Sequence, residues 1–467
     1  MTAIDRELCP PAAELGPPAA EWLPTRPAEL FGLDPGNPPA LPACDQAPLG
    51  VTAVIPTCPD PETDRQALLV ETLRPLAASA RHSGLPFAVV VAADGVPPGR
   101  LAGLERALAA LGCPAELLAV GPSAGSAAGT RNHALGHLAS LPPRSPLRLR
   151  YLLFLDDDSM ITPAGAGALV QVLEALPGAI AASPAIVPVA DLGSWQAPAP
   201  VRPAAVPLAG PWRDGRYDLL SVTSHGSSVT GRVVGLLVRA SPVLAWVAGG
   251  GRLFCPVTPR GSTEDMLAMA SLAALGPLLS VPRVQAADLA RATPAATRRQ
   301  QLRWGYDHAW LARALAAVGL LDPGVRALTW DGRHGWQEVR AEDGLAGVLV
   351  NPAQLGVLSG MLSAVAENEE TATAMAGADA CELAAAAAAL AGTLCWWREM
   401  APGAVRQPRP DLPDRIPDDW ADLRHGLDSQ LAHVAGNALG SMHAARDSRG
   451  LPGHLLFGLR QRGRWPK

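Results

Sequence analysis

The chain has 467 residues, a formal net charge of −5 and 48% hydrophobic residues. This composition is typical of a globular protein of two or three domains, and it excludes the strongly basic surface that nucleic-acid binding requires. No run of about 20 apolar residues occurs, so the sequence predicts no membrane span. Seven scattered cysteines without metal-binding spacing, and an N-terminus without a signal-peptide pattern, favour a reduced, cytoplasmic protein.

Residues 51 to about 160 alternate between predicted strands and helices. Residues 1–48 are rich in proline and predict an extended arm. Because strands alternate with helices after this arm, we expect the α/β class, with a Rossmann-like, doubly wound and mostly parallel sheet. Pro75 is expected to kink or divide one helix. The predicted strands are 51–57, 86–95, 116–120 and 151–155, and the predicted helices are 64–83, 99–111 and the end of 121–138.

In the remainder of the chain, the predicted secondary structure is first mainly strands and turns and then mainly helices. From about 180 to 260 the pattern favours strands and turns, with a strand predicted over 231–241 and a glycine-rich turn at 249–251. Two helices are predicted next, over 261–276 and 295–318. Beyond 320 the periodicity predicts a mainly helical region that can form a homo-oligomer interface. The resulting division is an arm (1–48), a central α/β domain (49–320) and a helical C-terminal region (321–467), whose periodic segments are 354–367, 373–397 and 419–445.

The most informative stretch is YLLFLDDDSM, residues 151–160, in which a buried strand ends in Asp156, Asp157 and Asp158. Ligands of open α/β sheets bind just outside the carboxyl ends of strands. Three adjacent carboxylates repel one another, and a hard divalent cation such as Mg²⁺ or Mn²⁺ relieves that repulsion. The alternative is a solvated acidic turn, or an N-cap for a helix that begins near Thr162.

Two further features follow other predicted strands. Asp94-Gly95 ends the second strand, where the carboxylate can accept hydrogen bonds from a base or ribose, although Asp-Gly is also a common turn. The small-residue loop that contains Gly125 and Gly129 leads to Arg131 and Asn132. This loop can admit a nucleotide, or it can simply be the capped start of a helix.

Two more features stand at predicted helices. Thr263-Glu264-Asp265 opens an apolar helix, either as an acidic N-terminus that suits the helix dipole or as a site for a general base. Gln300, Arg303 and Trp304 share one helix face. Arginine can pair with phosphate oxygens and tryptophan can stack on a sugar ring, but a surface arginine beside a core tryptophan is the simpler alternative.

In this order, the motifs resemble those of the inverting family 2 glycosyltransferases, which have the GT-A fold. The TED and QxxRW motifs are similar to those of cellulose, chitin and hyaluronan synthases, and the resemblance covers roughly residues 50–310. It implies Asp158 and Asp156 as metal ligands, Asp265 as the catalytic base and Glu264 as its support. It further implies a donor site formed by Pro56, Thr57, Asp94, Arg131, Asp156, Gln300 and Arg303, and an acceptor site with Trp304.

The resemblance implies that a sugar is transferred from an NDP-sugar, with a UDP-sugar preferred, to an acceptor hydroxyl. Mg²⁺ or Mn²⁺ would be the cofactor. The processive synthases carry membrane helices that this sequence lacks, so we expect one or a few sugars to be added to a small molecule, a peptide or an oligosaccharide. The alternatives are a retaining GT-A transferase, a nucleotidyltransferase, and a non-catalytic nucleotide-sugar-binding subunit.

Overall fold

The computed structural model describes residues 47–59, 64–121, 127–196, 233–254 and 264–289, several short strands, and six helical residues between 300 and 312. The chain forms two compact units. The described residues from 47 to 207 and from 233 to 289 belong to the first unit, and those at 212–217 and from 300 onward belong to the second. The predicted arm lies almost entirely outside the described residues.

The first unit begins with strands and helices in strict alternation. These elements are β1 (Val51–Thr57), α1 (Arg65–Ser83), β2 (Phe87–Asp94), α2 (Pro98–Ala109), β3 (Ala115–Val120), α3 (Ala127–Ser140) and β4 (Tyr151–Phe154). The elements that follow in this unit are β5 (Ser159–Ile161), α4 (Pro163–Ala175), β6 (Ala181–Val189) and β7 (Val206–Pro207). After the two strands β8 (Trp212–Arg213) and β9 (Arg216–Tyr217) of the second unit, the first unit continues with β10 (Leu236–Arg239), α5 (Ala240–Ala248), α6 (Glu264–Leu275) and β11 (Leu278–Leu289).

One mixed sheet organises the first unit, in the order β3-β2-β1-β4-β10-β6-β11-β5, with β7 beside β11. Strands β3, β2, β1 and β4 are mutually parallel. Strand β10 is antiparallel to both β4 and β6, and β11 is parallel to β6. Because two reversals cancel, β6 and β11 run in the same direction as β4, and only β10 and β5 oppose the majority of this path. The mostly parallel sheet predicted from the sequence is therefore confirmed.

Successive residues of the central strands face opposite layers, which explains their continuous apolar sequences. On one face Ile55 and Leu153 belong to a core that includes buried leucines of α1, α2 and α4. On the other face Val54 and Phe154 belong to a core that includes buried residues of α3, α5 and α6. Helices thus cover both faces, as expected for a doubly wound α/β sheet.

The chain order of the strands reverses next to β1. The connections from β1 through β2 to β3 move outward on one side, and β4 then lies on the other side of β1. Such a reversal opens a crevice at the carboxyl ends of the two central strands, where α/β proteins bind ligands. Thr57 ends β1, and the three acids follow β4 after one residue, Leu155. The sequence motif and the topological switch point therefore coincide.

Helix α1 is not divided at Pro75, contrary to one of the two outcomes that the sequence predicted. The helix runs without interruption from Arg65 to Ser83 with Pro75 inside it. Pro75 is exposed, whereas Leu73 and Leu76 beside it are buried in the core. Water can therefore satisfy the carbonyl that loses its helical partner, while packing of the buried leucines favours a continuous helix.

The region around residue 240 also differs from the prediction. The single strand predicted over 231–241 is confined to β10, and the apolar residues after Arg239 form α5 instead. Gly235, directly before β10, has φ +72°, and an added Cβ would lie 2.8 Å from Pro184 Cγ and 2.9 Å from Ala286 Cβ. A glycine is required there because the backbone both turns and packs against β6 and β11.

The second unit contains strands where the sequence predicted mainly helix. Strands β12 (Arg326–Asp331), β13 (Gly335–Arg340) and β14 (Val348–Leu349) form an antiparallel sheet, so the helical prediction is wrong over these residues. The Asp-Gly pair at 331–332 is a hairpin signal, and Trp330 pairs with Trp336 across it. The helices predicted over 354–367, 373–397 and 419–445 lie outside the described residues. Within the described part of the chain, no helix is long and apolar enough to cross a membrane.

Candidate active site

The acidic turn after β4 is a well-ordered local structure rather than a loose acidic loop. The Leu155 amide donates to Val54 O at 3.3 Å, which extends the pairing of β1 with β4 to the residue before the acids. The Asp156 amide donates to the Ser159 hydroxyl at 2.8 Å, and the Ser159 amide donates back to Asp156 O at 3.2 Å. The Leu289 amide binds Asp158 O at 3.0 Å. The turn is thus attached both to β1 and to the end of β11.

The three acids of this turn have different surroundings. The side chain of Asp156 is 30% exposed and forms an ion pair with Arg131. The side chains of Asp157 and Asp158 are only 6% and 7% exposed, and both lie against Arg65. The sequence analysis assigned roles to Asp156 and Asp158 and none to Asp157. The structure instead gives Asp157 two defined hydrogen-bond partners, so it anchors the turn.

Arg131 connects the acidic turn to the start of α6. Only 2% of its side chain is exposed. One guanidinium nitrogen, Nη2, binds Asp156, while Nη1 lies 3.3 Å from Glu264 Oε1 and 3.8 Å from Asp265 Oδ1. Acids from two separated sequence motifs therefore converge on one buried cation.

The position of Arg131 is set by its neighbour in sequence and by an aromatic ring. Asn132 accepts a hydrogen bond from the Phe254 amide at 3.1 Å and donates one to the Phe254 carbonyl. This pair of bonds holds the chain after the glycine-rich turn against α3. The Phe254 ring then lies 5.2 Å from the Arg131 guanidinium carbon, a distance typical of a cation–π contact.

Burial shifts the protonation equilibria in this cluster. Burial lowers the pKa of Arg131, but the charges of Asp156, Asp265 and Glu264 outweigh that effect and raise it, so the guanidinium stays charged. Burial and the neighbouring Asp265 raise the pKa of Glu264 to about 8, against the lowering effect of Arg131. Within the described part of the chain, Glu264 Oε2 is buried without a hydrogen-bond partner. Glu264 is therefore largely protonated at neutral pH.

This raised pKa predicts a stability difference that depends on pH. A carboxyl whose folded-state pKa of about 8 exceeds its ordinary value of 4.5 favours folding fully below pH 4.5, and the contribution is lost as the pH rises through about 8. From pH 5 to pH 9, Glu264→Gln should therefore gain stability relative to the unmodified protein, by up to about 4 kcal/mol. Urea unfolding across this range measures the gain. Glu105→Gln, on the exposed face of α2, should show no such trend, and parallel curves for all three proteins would contradict a buried, protonated Glu264.

A second hydrogen-bonded network surrounds Asp157. The Thr57 hydroxyl donates to Asp157 Oδ2 at 2.7 Å, and Arg65 Nη1 donates to Asp157 Oδ1 at 2.8 Å. Gln66 Nε2 donates to the Thr57 hydroxyl at 3.1 Å, and Arg100 Nη1 donates to Gln66 Oε1 at 3.3 Å. Burial raises the pKa of Asp157, while Arg65 and Thr57 act in the opposite direction. The end of β1, the start of α1 and the acidic turn are thereby joined.

The structure brings together most of the predicted residues of the first unit. Pro56 and Thr57 end β1 beside the end of β2, because Thr57 pairs with Ala93 and Asp94 follows directly. Asp94 is partly buried at that same edge of the sheet. The predicted acids and Arg131 form the cluster described above. Gln300 and Trp304 are half-buried helical residues of the second unit, and Thr263 and Arg303 lie outside the described residues.

The acidic turn offers only oxygen ligands, which Mg²⁺ and Mn²⁺ prefer. The described residues include no group of three or more His, Cys, Asp or Glu side chains that could hold a metal ion. Mg²⁺ usually keeps several waters and takes one or two carboxylates together with substrate phosphates. Asp156 and Asp158 fit that pattern, with Asp156 the more accessible of the two. A bound ion would have to share these carboxylates with Arg131 and Arg65.

Sequence reasoning missed Arg65 and Gln66. Arg65 is the first residue of α1, after the N-cap Asp64. A cation in the first turn of a helix is disfavoured by the helix dipole. That local conflict was the one available signal, because it indicates that nearby acids compensate the charge.

Comparisons with known proteins give only distant matches. No protein-family model and no curated protein sequence matches the chain. Among solved structures, the chain resembles TarS 1–349 from S. aureus, with 12% identity and a TM-score of 0.36, covering 59% of this chain and 66% of that one. TarS 1–349 in complex with UDP-GlcNAc gives 13% identity and a TM-score of 0.34, over 57% and 71% of the two chains.

A third solved structure covers more of the molecule. The mannosyltransferase PcManGT from Pyrobaculum calidifontis, in complex with GDP-Man and Mn²⁺, is 17% identical with a TM-score of 0.40, over 91% of this chain and 96% of that one. The present chain spans just under two thirds of the TarS 1–349 structure matched without a ligand. At these identities and TM-scores the likeness assigns neither a family nor a donor.

Proposed function

We propose that this protein is a divalent-cation-dependent, inverting glycosyltransferase of the GT-A fold that resembles family 2. One observation carries the proposal. The acidic turn lies at the switch point of a doubly wound sheet and is joined, through the buried Arg131, to Glu264 and Asp265. Acids suited to a metal-bound diphosphate and a carboxylate suited to a general base therefore occupy one site.

The proposed donor site lies along the carboxyl ends of β2, β1 and β4. Asp94 binds the nucleoside, Pro56 and Thr57 form the neighbouring wall, and Asp156 and Asp158 hold the ion. When bound, that ion neutralises the charge that develops on the departing diphosphate. The motif assigns Gln300 and Arg303 to donor binding and Trp304 to acceptor binding. We expect an NDP-sugar donor, with a UDP-hexose preferred.

The proposed reaction is a single displacement at the anomeric carbon. The acceptor oxygen forms a bond to that carbon as the bond to the diphosphate oxygen breaks, and the diphosphate leaves with the bonding electrons. Asp265 accepts the proton of the acceptor hydroxyl. Its side chain is 31% exposed, so an acceptor can reach it, whereas Glu264 is nearly enclosed. Attack opposite the leaving group inverts the anomeric configuration.

The charge states within the cluster suit this division of roles. Glu264, with its raised pKa, remains largely protonated and adds little negative charge beside Asp265. Arg131 is enclosed by the acids, which suits a role in orienting Asp156, Glu264 and Asp265 better than direct contact with the donor. We therefore reassign Arg131 from donor binding to positioning. The acceptor is a hydroxyl on a small molecule, a peptide or an oligosaccharide.

A donor screen on the intact chain tests this function. Thermal unfolding is measured with a panel of UDP-, GDP-, ADP- and dTDP-sugars, with and without Mn²⁺. A matching donor at a hundredfold excess over its dissociation constant should add about 2.7 kcal/mol to the free energy of unfolding. Transfer should then release NDP, and NMR of the product should show the inverted anomer. Release of pyrophosphate would indicate a nucleotidyltransferase, a retained anomer would indicate a retaining enzyme, and binding without transfer would indicate a non-catalytic subunit.

A further inference from the structure

The contacts of Arg65 suggest a role that the proposed mechanism leaves unassigned. A single nitrogen, Nη1, lies 2.8 Å from Asp157 Oδ1 and 3.2 Å from Asp158 Oδ2. Both carboxylates are almost fully buried, and the arginine itself is mostly enclosed. One cation thus neutralises two adjacent acids that would otherwise repel each other.

The two acids are held to different degrees. Both oxygens of Asp157 are engaged, one by Arg65 and the other by the Thr57 hydroxyl. Thr57 is itself held by Gln66, which follows Arg65 in the first turn of α1. Asp157 therefore serves as the anchor for Arg65. Asp158 shares the same guanidinium nitrogen at a longer distance and is also a proposed ligand of the divalent ion.

The location of Arg65 supports an electrostatic function. It occupies the first position of α1, directly after the N-cap Asp64, whose carboxylate accepts from the Ala67 amide at 3.3 Å. The helix dipole disfavours a cation at that position. The acids of the turn provide the opposing charge, so the arginine and the turn stabilise each other across about 90 residues of sequence.

We propose that Arg65 is a positioning residue that acts as the resident counter-cation of the acidic turn. It keeps Asp157 and Asp158 in place when no divalent ion is bound, and it competes with that ion for Asp158. The competition weakens binding of the free ion, so that tight binding requires the additional oxygens of a diphosphate. This inference rests on the proposed function in taking Asp158 as a ligand of the ion.

Binding of Mn²⁺ alone, without nucleotide, tests the competition independently of sugar transfer. Calorimetry and the electron paramagnetic resonance signal of free Mn²⁺ are measured on the full-length chain. Arg65→Gln removes the positive charge but keeps hydrogen-bonding capacity. It should lower the dissociation constant for Mn²⁺ by at least about tenfold, which corresponds to about 1.4 kcal/mol. Arg74→Gln, an exposed arginine on the same helix, should stay within about twofold of the unmodified protein, because its charge is separated from the turn by solvent.

An unchanged or weakened affinity for Mn²⁺ in Arg65→Gln would overturn the inference, since it would mean that Arg65 only supports the turn structurally. Should Arg65→Gln fail to fold, Arg65→Lys tests the competition through the geometry of the contact instead of through the charge. Lysine keeps the charge but is a hydrated point charge without the planar fork of arginine. The affinity of Arg65→Lys for Mn²⁺ should exceed that of the unmodified protein by about two- to threefold. An affinity equal to or below that of the unmodified protein would contradict the competition.

The outcome also separates this inference from the proposed function. Tighter Mn²⁺ binding in Arg65→Gln supports the competition even if no nucleotide sugar binds or reacts. Conversely, transfer from a nucleotide sugar together with unchanged Mn²⁺ binding would retain the function and reject the role of Arg65.

Discussion

Arg131→Met is expected to lower the free energy of unfolding by about 3–5 kcal/mol, the range for removing one partner of a buried ion pair. Methionine keeps an unbranched stem but ends where the arginine Nε lies, so it lacks the guanidinium carbon that contacts the Phe254 ring. It cannot balance the charges of Asp156 and Asp265 or stabilise the buried Glu264. Urea unfolding followed by far-UV circular dichroism measures the change.

Two further variants test whether the loss of stability comes from Arg131 itself. Arg106→Met, on the exposed face of α2, should change stability by less than about 0.5 kcal/mol. Adding Asp156→Asn to Arg131→Met should recover part of the loss, because the acid that forms the closest ion pair with Arg131 is then replaced by a neutral side chain. If Arg131→Met were as stable as the Arg106 control, Arg131 could not be the cation that holds this cluster together.

The elements that the sequence predicted best are those whose signals are local. Strands β1, β2 and β4 are continuous apolar runs buried on both faces, and such runs are characteristic of central parallel strands. The helix expected to begin near Thr162 is α4, but its N-cap is Thr162 and not one of the acids, with the Thr162 hydroxyl accepting from the Gly165 amide at 3.1 Å. The acidic turn and the helix cap are thus consecutive features rather than competing explanations.

The features that the sequence did not predict depend on distant parts of the chain. Strand β11 contains Pro282, which argued against a central strand, yet an irregularity in its pairing with β6 between Val281 and Gln285 accommodates it. The reversed direction of β10 follows from packing between β4 and β6, which no local pattern encodes. Pairing of Arg131 with Glu264 likewise spans 133 residues, so only the fold reveals it.

Within the site, too, local sequence signals predicted some properties of the residues, and only the fold determines the others. Residue type and order were enough to select Asp94, Asp156, Asp158 and Asp265 as candidates. Their burial was not predictable, because it depends on how α3 and α6 pack against the sheet. Burial is what makes Arg131 a positioning group in the proposal and separates the exposed Asp156 from the enclosed Asp158.

Asp265→Asn is expected to reduce the rate of sugar transfer by about a thousandfold, within the range that general-base catalysis contributes. Asparagine keeps the size of the side chain but cannot accept the proton of the acceptor hydroxyl. Donor binding should stay within about threefold, because the proposed donor contacts lie on the strand ends and the acidic turn. Initial rates of NDP release with and without acceptor, and calorimetry with the donor, measure the two effects separately.

The pH profile distinguishes a lost base from a damaged site. The remaining activity of Asp265→Asn should rise steadily with pH, because an ionised acceptor no longer needs a base, whereas a misfolded site would show a uniformly low rate. Asp191→Asn, at an exposed turn where that carboxylate accepts from the Gly193 amide at 3.1 Å, should retain full activity. Glu264→Gln should lose less than Asp265→Asn, since Glu264 is already mostly protonated. Full transfer by Asp265→Asn at neutral pH would move the base to another residue and leave the acidic turn and Arg131 as supports of donor binding alone.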